Sequence, residues 1–206
     1  KGDKDQNGSF KLDILNLKSK DDEIELKNTL FDKNFKIVEL SQVRFNYIDQ
    51  ENQINKFKII NNQKNYILNG DHFNANHLLD SLSSSDDEEK LSIFKKKISL
   101  KIKIKNIRLD EEYSIRNLKG NLVLFNDEII SGDLGAFFPD KDKVKFTTIS
   151  KNNEKITTLF SDKAKPFVKK YKFIKGFSNG TLDFYSIKKN NKTDSNLKIY
   201  DFKLKE

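Results

Sequence analysis

The stretch Lys97–Lys105 reads KISLKIKIK, and its side chains alternate strictly between polar and apolar. Ile98, Leu100, Ile102 and Ile104 take every second position, while Lys or Ser fills the positions between them. Successive side chains of a β-strand point to opposite faces of its sheet, so a period of two places all four apolar groups on one face. The stretch therefore predicts a strand with one apolar face and one lysine-rich face.

Weaker copies of this alternation recur along the chain, separated by short polar stretches rich in Asn, Asp, Lys or Gly. Such polar stretches are typical of β-hairpin turns. We therefore predict a mainly β fold, with a mostly antiparallel, meandering sheet of ten or more strands. The weaker segments contain Phe10, Leu12 and Ile14; Ile24 and Leu26; Val43, Phe45 and Tyr47; Phe57 and Ile59; Val144 and Phe146; and Leu182 and Phe184.

Two segments depart from the alternation and predict short α-helices. Asn74–Leu82 opens with a capping Asn and continues with leucines at helical spacing. Ser161–Phe173 opens with a capping Ser or Asp and carries Pro166, which a helix tolerates only near its first turn. Both helices are too short for a series of βαβ crossovers, so they interrupt a meandering sheet.

The polar run SSSDDEEK at residues 83–90 predicts a loop and a boundary between two parts of the sheet. The first part, residues 1–84, is a β segment that ends in a short helix. The second part, residues 85–206, is a β segment with a short helix near residues 161–173. We expect the two parts to form one continuous sheet.

The composition predicts a thin fold. Of the 206 residues, 34% are charged and 35% belong to the hydrophobic set, or about 39% with the 8 Gly added, whereas average soluble domains are roughly 45–50% apolar with Gly included. The 17 Phe and 6 Tyr residues argue against a disordered chain. The chain has no Cys, which excludes disulfides and cysteine-based metal sites.

The formal net charge of +8 comes from 39 basic and 31 acidic residues. Only Arg44, Arg108 and Arg116 carry the guanidinium group that pairs bidentately with bases and phosphates. Lysines interspersed with acids are typical of a solvated surface. The second interpretation is contact with anionic lipid headgroups or a membrane surface. No specific nucleic-acid partner is predicted.

No catalytic, metal-binding or cofactor-binding constellation is found in the sequence. His72 and His77 are five residues apart, which is not the one-turn spacing of paired zinc ligands on a helix. The chain has no nucleophile elbow, phosphate loop or dinucleotide fingerprint, and Gly132–Gly135 indicates only a strand or bulge. We therefore expect a protein that is not an enzyme.

Two stretches resemble the AsmA-like family of bacterial envelope proteins, which includes the TamB and YhdP relatives. The first is Leu68–Ala75, LNGDHFNA, followed by Leu78 and Leu79. The second opens at Ser161 and closes with LKIYDF at Leu197–Phe202. It is similar to the family's order of helix, glycine turn, strand and a closing Ile-x-Asp-Phe strand. The matching residues between its ends are Phe167, Tyr171, Ile174, Gly176, Gly180, Thr181 and Leu182.

The resemblance implies a segment from near the C-terminal part of a long periplasmic protein of Gram-negative bacteria, anchored in the inner membrane. In that family a curved β-sheet forms a groove whose apolar concave face carries phospholipid tails toward the outer membrane. The implied partner is a phospholipid or another acyl lipid, and the implied membrane contacts are made by parts outside this chain.

On this interpretation the sheet carries an apolar lining for lipid. Its predicted residues are Ile98, Leu100, Ile102, Ile104, Leu122, Leu124, Leu182 and Phe184. Seven alternating residues span about 23 Å, long enough for a wall beside an acyl chain. Two alternatives stay open: an ordinary sheet whose apolar face packs on helices and a second sheet, and a scaffold that pairs its edge with a client strand during outer-membrane protein assembly.

Overall fold

A computed structural model of the 206-residue chain describes residues 2–4, 9–63, 65–76, 97–125, 128–168, 177–190 and 192–204. These residues form thirteen β-strands and one short helix. The strands are β1 (Gly2–Lys4), β2 (Phe10–Ser19), β3 (Asp22–Phe31), β4 (Ile37–Ile48), β5 (Ile54–Asn61), β6 (Tyr66–Asn74), β7 (Ile98–Arg108), β8 (Ser114–Phe125), β9 (Glu128–Phe137), β10 (Lys143–Lys151), β11 (Glu154–Ser161), β12 (Phe177–Lys189) and β13 (Lys192–Leu204).

All thirteen strands belong to one open sheet, and their order in the sheet is their order along the chain. Every neighbouring pair is antiparallel except β6 and β7, which are parallel. The prediction of a mainly β fold is confirmed. The predicted boundary near residue 84 lies outside the described residues, and the strands on its two sides, β6 and β7, are hydrogen-bonded neighbours.

The polar and apolar alternation in β7 matches the burial of its side chains. Ile98, Leu100, Ile102 and Ile104 are buried, whereas Lys101 and its neighbouring lysines on the strand are exposed. The hairpins also follow from local sequence. Between β10 and β11, Asn152 and Asn153 both have positive φ, at 53° and 60°, the backbone that a two-residue type I′ turn requires and that Asn adopts readily.

The prediction of two short helices is wrong for the described residues, which contain only α1 (Lys165–Val168). Ser161 ends β11 instead of starting a helix. Its hydroxyl donates a hydrogen bond to the Lys163 carbonyl at 2.7 Å and accepts one from the Lys163 amide at 3.2 Å. The Asp162 carboxylate accepts a hydrogen bond from the Lys143 amide at 2.6 Å, which closes the β10–β11 ladder. Pro166 lies in the first turn of α1, as expected.

Residues 77–82 of the predicted helix Asn74–Leu82 lie outside the described residues. Its first residue, Asn74, is the last residue of β6. The Asn74 side chain is engaged in a hydrogen-bond network with the β4–β5 turn, although its Oδ1 also accepts the Asn76 amide in a cap-like contact.

Buried apolar side chains form two clusters. The larger one centres on β7 and β8 and extends through half-buried neighbours to Ile59 of β5 and Leu159 of β11. The smaller one consists of Ala164, Val168 and Leu182, so α1 packs on β12. Phe167 contacts both clusters. The buried residues of the larger cluster are Ala75, Leu100, Ile102, Ile104, Ile107, Leu109, Ile115, Ala136, Phe138 and Val144.

Ion pairs hold α1 and the residues before it against the sheet. The Lys165 ammonium lies 2.8 Å from Glu112 Oε2. The Lys163 ammonium binds Asp140 and lies 3.6 Å from Asp142 Oδ2. Pairs as exposed as these contribute at most about 1 kcal/mol each, so apolar packing is the main attachment of α1.

Candidate functional site

An apolar row crosses the sheet from β2 to β13, at right angles to the strands. Its members are direct cross-strand partners, so their side chains lie on one face of the sheet. This face is called the apolar face below, and the opposite one the polar face. The row consists of Leu15, Leu26, Val43, Ile59, Leu68, Ile102, Gly120, Leu134, Phe146, Leu159, Phe184 and Leu197.

Burial varies along the apolar row, in which Val43 of β4 and Ile102 of β7 are the two buried side chains. Ile102 of β7 is 6% exposed, whereas Leu15 at one end is 36% exposed and Leu197 at the other is 37% exposed. Leu134, Leu159 and the other members between β9 and β12 are half-buried. The part of the row from β9 to β13 therefore keeps apolar surface that a ligand can contact.

The two strands β8 and β9 pack closely where the row crosses them. Gly120 has a φ of +150°, and a Cβ atom at this position would lie 1.9 Å from the Asp133 carbonyl oxygen. On the same face, a Cβ at Gly132 would lie 2.5 Å from a methyl carbon of Leu122. The glycines let β8 and β9 approach closely, and a larger residue at either position would force these strands apart.

The predicted lining residues occupy the same face but differ in exposure. Ile98, Leu100, Ile102, Ile104 and Leu182 are buried by the protein itself, whereas Leu122, Leu124 and Phe184 are half-buried. Only the last three present surface to a ligand. Between β9 and β13 the row also contains four half-buried or exposed residues that were not predicted as lining from the sequence: Leu134, Phe146, Leu159 and Leu197.

A second apolar row flanks the first one on the side of α1. In its C-terminal part, Ala136, Val144, Leu182 and Ile199 are linked by register, with Ser161 between Val144 and Leu182. α1 lies over this row through Ala164 and Val168. The helix therefore forms one wall beside the open part of the apolar row.

A polar row bounds the apolar row on its other side. Thr148, Thr157, Ser186 and Ser195 are successive cross-strand partners from β10 to β13. Their hydroxyls pair at 3.0 Å, Thr148 with Thr157 and Ser186 with Ser195. The same row becomes apolar toward β6, where it reaches Tyr66. Burial raises the pKa of the Tyr66 phenol, because the phenolate would lose its hydration.

A buried polar network closes one end of the sheet and was not predicted from the sequence. Asp49 Oδ2, in the β4–β5 turn, accepts hydrogen bonds from the side-chain amides of Asn55 at 2.9 Å and Asn74 at 2.8 Å. The Asn55 Oδ1 atom in turn accepts the Asn74 backbone amide at 2.8 Å. Asn55 is 1% exposed, a burial that its polar side chain alone does not indicate. The network fixes the β4–β5 turn against β6.

The described residues contain no cluster of three or more His, Asp or Glu side chains that could hold a metal ion. His72 is exposed in β6, and His77 lies outside the described ranges. No helix in the described part of the chain has the length and apolar character needed to cross a bilayer.

Comparisons of the chain with protein-family models, curated proteins and solved structures found no match. The resemblance to AsmA-like proteins therefore stays a prediction. Its closing segment, Leu197–Phe202, lies in β13, where Leu197 ends the apolar row and Ile199 packs under α1.

Proposed function

We propose that the chain is a segment of a periplasmic AsmA-like protein whose sheet curves into a groove and binds lipid acyl chains, supporting phospholipid transport to the outer membrane. The observation that supports this most is the apolar row, which is uninterrupted by any polar side chain over twelve strands. At about 4.8 Å per strand the row is about 53 Å long. Apolar continuity over such a length suits a ligand that is long and apolar.

The acyl chain binds along the open part of the apolar row, from Leu134 of β9 to Leu197 of β13. This part measures about 19 Å across five strands, a length comparable to that of an extended acyl chain. α1 lines one side, and the hydroxyl row of Thr148, Thr157 and Ser186 lines the other. Thr148 and Ser186 are buried and their hydroxyls pair within the row, so the polar row bounds the apolar surface on this side.

Burial of methylene groups supplies the binding energy. Each buried methylene contributes about 0.8 kcal/mol, so ten of them give roughly 8 kcal/mol before the loss of chain freedom is subtracted. Half-buried side chains such as Phe146 and Leu159 lose their remaining water contact in the same step. No covalent step is involved.

We expect Phe184→Asn combined with Leu197→Asn to reduce co-purifying lipid at least fivefold, because two adjacent members of the open row lose their apolar surface. The measurement is organic extraction of the purified protein followed by mass spectrometry, together with binding of a pyrene-labelled phospholipid. Circular dichroism melting checks that the variant is folded.

The matched control is Tyr185→Asn, one position from Phe184 but paired with Thr158 on the polar face. Tyr185 is an exposed aromatic residue, so its loss removes similar apolar area from the wrong face. Equal lipid recovery from the row variant and the wild type would contradict the proposal, as would a wild type that carries no lipid and binds none.

An alternative is a scaffold that pairs its sheet edge with a client strand in outer-membrane protein assembly. The observation in its favour is β13, thirteen residues long and exposed along its length except at Ile199. Its partner in the described sheet is β12, on one side only. An edge of this length offers unpaired backbone groups to another strand. Photocrosslinking from Lys198, in the middle of β13, would capture an unfolded outer-membrane strand if this alternative holds.

A further inference from the structure

The polar face of the sheet carries a depression of about 640 Å³ across β4 to β8. Its floor is the main chain at Phe45, Phe57, Gly70, Ile104 and Leu118, successive register partners across the five strands. The side chains of this row belong to the apolar face, where the ring centroids of Phe45 and Phe57 are 4.8 Å apart. The depression is therefore a trough between two rows of polar-face side chains.

Cations line both walls of the trough. They are Arg44, Lys58, Lys103 and Lys119 in one row and Lys56 and Lys105 in the other. All six are exposed. The carboxylate in the lining is Asp71, which lies 2.7 Å from the Lys105 ammonium and 3.9 Å from that of Lys56. The second row is therefore partly neutralised. In the first row, Arg44 has Glu25 of β3 as its other cross-strand partner, whereas the cross-strand partners of Lys58, Lys103 and Lys119 are Arg, Lys, Asn or Gly.

The first row places like charges side by side. Lys103 of β7 lies directly opposite Lys119 of β8, and Arg44 of β4 lies opposite Lys58 of β5. Like charges in this position destabilise a sheet. In the described part of the chain, no carboxylate lies within ion-pair distance of Lys58, Lys103 or Lys119. A bound anion would remove this repulsion.

The shape of the trough selects the anion. Its walls are two residues apart along the strands, about 7 Å, and it crosses five strands over about 19 Å. A flat bilayer surface cannot enter a trough of this width. The aromatic rings of the floor residues face away, so nucleic-acid bases find no stacking platform. Five of the six cations are lysines, which act as point charges toward phosphate without the bidentate geometry of Arg.

From this arrangement we propose that the trough binds a short linear chain of phosphate groups, which lies across the strands between the two rows of cations. The phosphates contact Lys103 and Lys119 at one end and Arg44 and Lys58 at the other. This site is on the opposite face from the acyl-binding row and does not depend on it.

The test is isothermal titration of the 206-residue chain with sodium tripolyphosphate at low ionic strength. We expect saturable binding that weakens steeply with added salt, because exposed charges are screened within about a Debye length. Lys103→Gln combined with Lys119→Gln should lower the affinity at least tenfold. The same variant should melt at an equal or higher temperature than the wild type, because a repulsive pair has been removed.

The matched control is Lys188→Gln combined with Lys198→Gln, which removes two exposed charges from β12 and β13, outside the trough. Retained tripolyphosphate binding in this control supports the trough. Equal loss in both double variants would mean that net charge alone attracts the anion and would overturn the proposal. So would absence of binding to the wild type, tighter binding of a single-stranded oligonucleotide of equal charge, or binding to phosphatidylglycerol vesicles without binding to tripolyphosphate.

Discussion

Ile102→Asp is expected to unfold the chain or to lower its free energy of unfolding by more than about 4 kcal/mol. Ile102 is 6% exposed and lies between Leu68 of β6 and Gly120 of β8 in the apolar row. A carboxylate at this position would be taken out of water without a partner. Small domains are stable by only about 5–15 kcal/mol, so this loss is a large part of the total. Urea denaturation followed by circular dichroism measures it.

Lys101→Asp is the matched control for Ile102→Asp. It introduces the same carboxylate one position away, but on the exposed polar face of β7, and should change the free energy of unfolding by no more than about 0.5 kcal/mol. Ile102→Val should fall between the two, at about 1 kcal/mol, since it removes one buried methylene. Equal stability of Ile102→Asp and Lys101→Asp would contradict the placement of Ile102 inside the sheet.

The face on which each β7 residue lies could be predicted from the sequence, but the burial of these residues could not. Alternation is a property of one strand, and it placed Ile98–Ile104 correctly on the apolar face. Burial depends on the neighbours across the sheet. The cross-strand neighbours of Ile102 are Leu68 and Gly120, and Gly120 in turn pairs with Leu134. These contacts are set by the register of three other strands. Local sequence patterns do not specify that register. The residues predicted to line a lipid site therefore included several that are buried by other parts of the sheet.

The same limit explains the residues that sequence reasoning missed. Leu159 lies in the segment EKITTLFS of β11, where two adjacent threonines hide the alternation. Thr148 and Thr157 are polar but lie on the largely apolar face, because their hydroxyls satisfy each other. The place of the parallel β6–β7 pair was also not indicated, since hairpin-like turns predict antiparallel neighbours and the sheet was predicted only as mostly antiparallel.

The network at the β4–β5 turn gives the second large expected effect. Asp49→Asn should lower the free energy of unfolding by about 3 kcal/mol. Asp49 Oδ1 accepts the backbone amides of Glu51 and Gln53, and Oδ2 accepts the side-chain amides of Asn55 and Asn74. An Asn at this position has only one acceptor oxygen. In either amide orientation its NH₂ group faces two hydrogen-bond donors, so a strong interaction is replaced by a repulsive one.

Asp21→Asn is the control for this substitution. It makes the same change of charge in the exposed turn between β2 and β3 and should leave the free energy of unfolding within about 0.5 kcal/mol of the wild type. If Asp49→Asn were equally mild, the contribution of the network to holding the turn against β6 would be refuted.

The effect of Asp49→Asn should depend on pH. Burial alone would raise the pKa of Asp49, but the hydrogen bonds donated by Asn74, Gln53, Asn55 and Glu51 outweigh it and hold the pKa below its ordinary value of 3.8. As the pH falls below this ordinary value, the unfolded chain binds a proton at Asp49 before the folded chain does, so the wild type loses stability. The stability difference between wild type and Asp49→Asn should be constant above about pH 5 and should shrink as the pH falls through the lowered pKa of the folded state.

Urea titrations of both proteins from pH 7 to acid pH measure this difference. Carboxylates outside the network titrate equally in the two proteins and cancel in this difference. If the stability difference stayed constant down to the lowest pH, the ionised Asp49 carboxylate would not be the group that stabilises the turn.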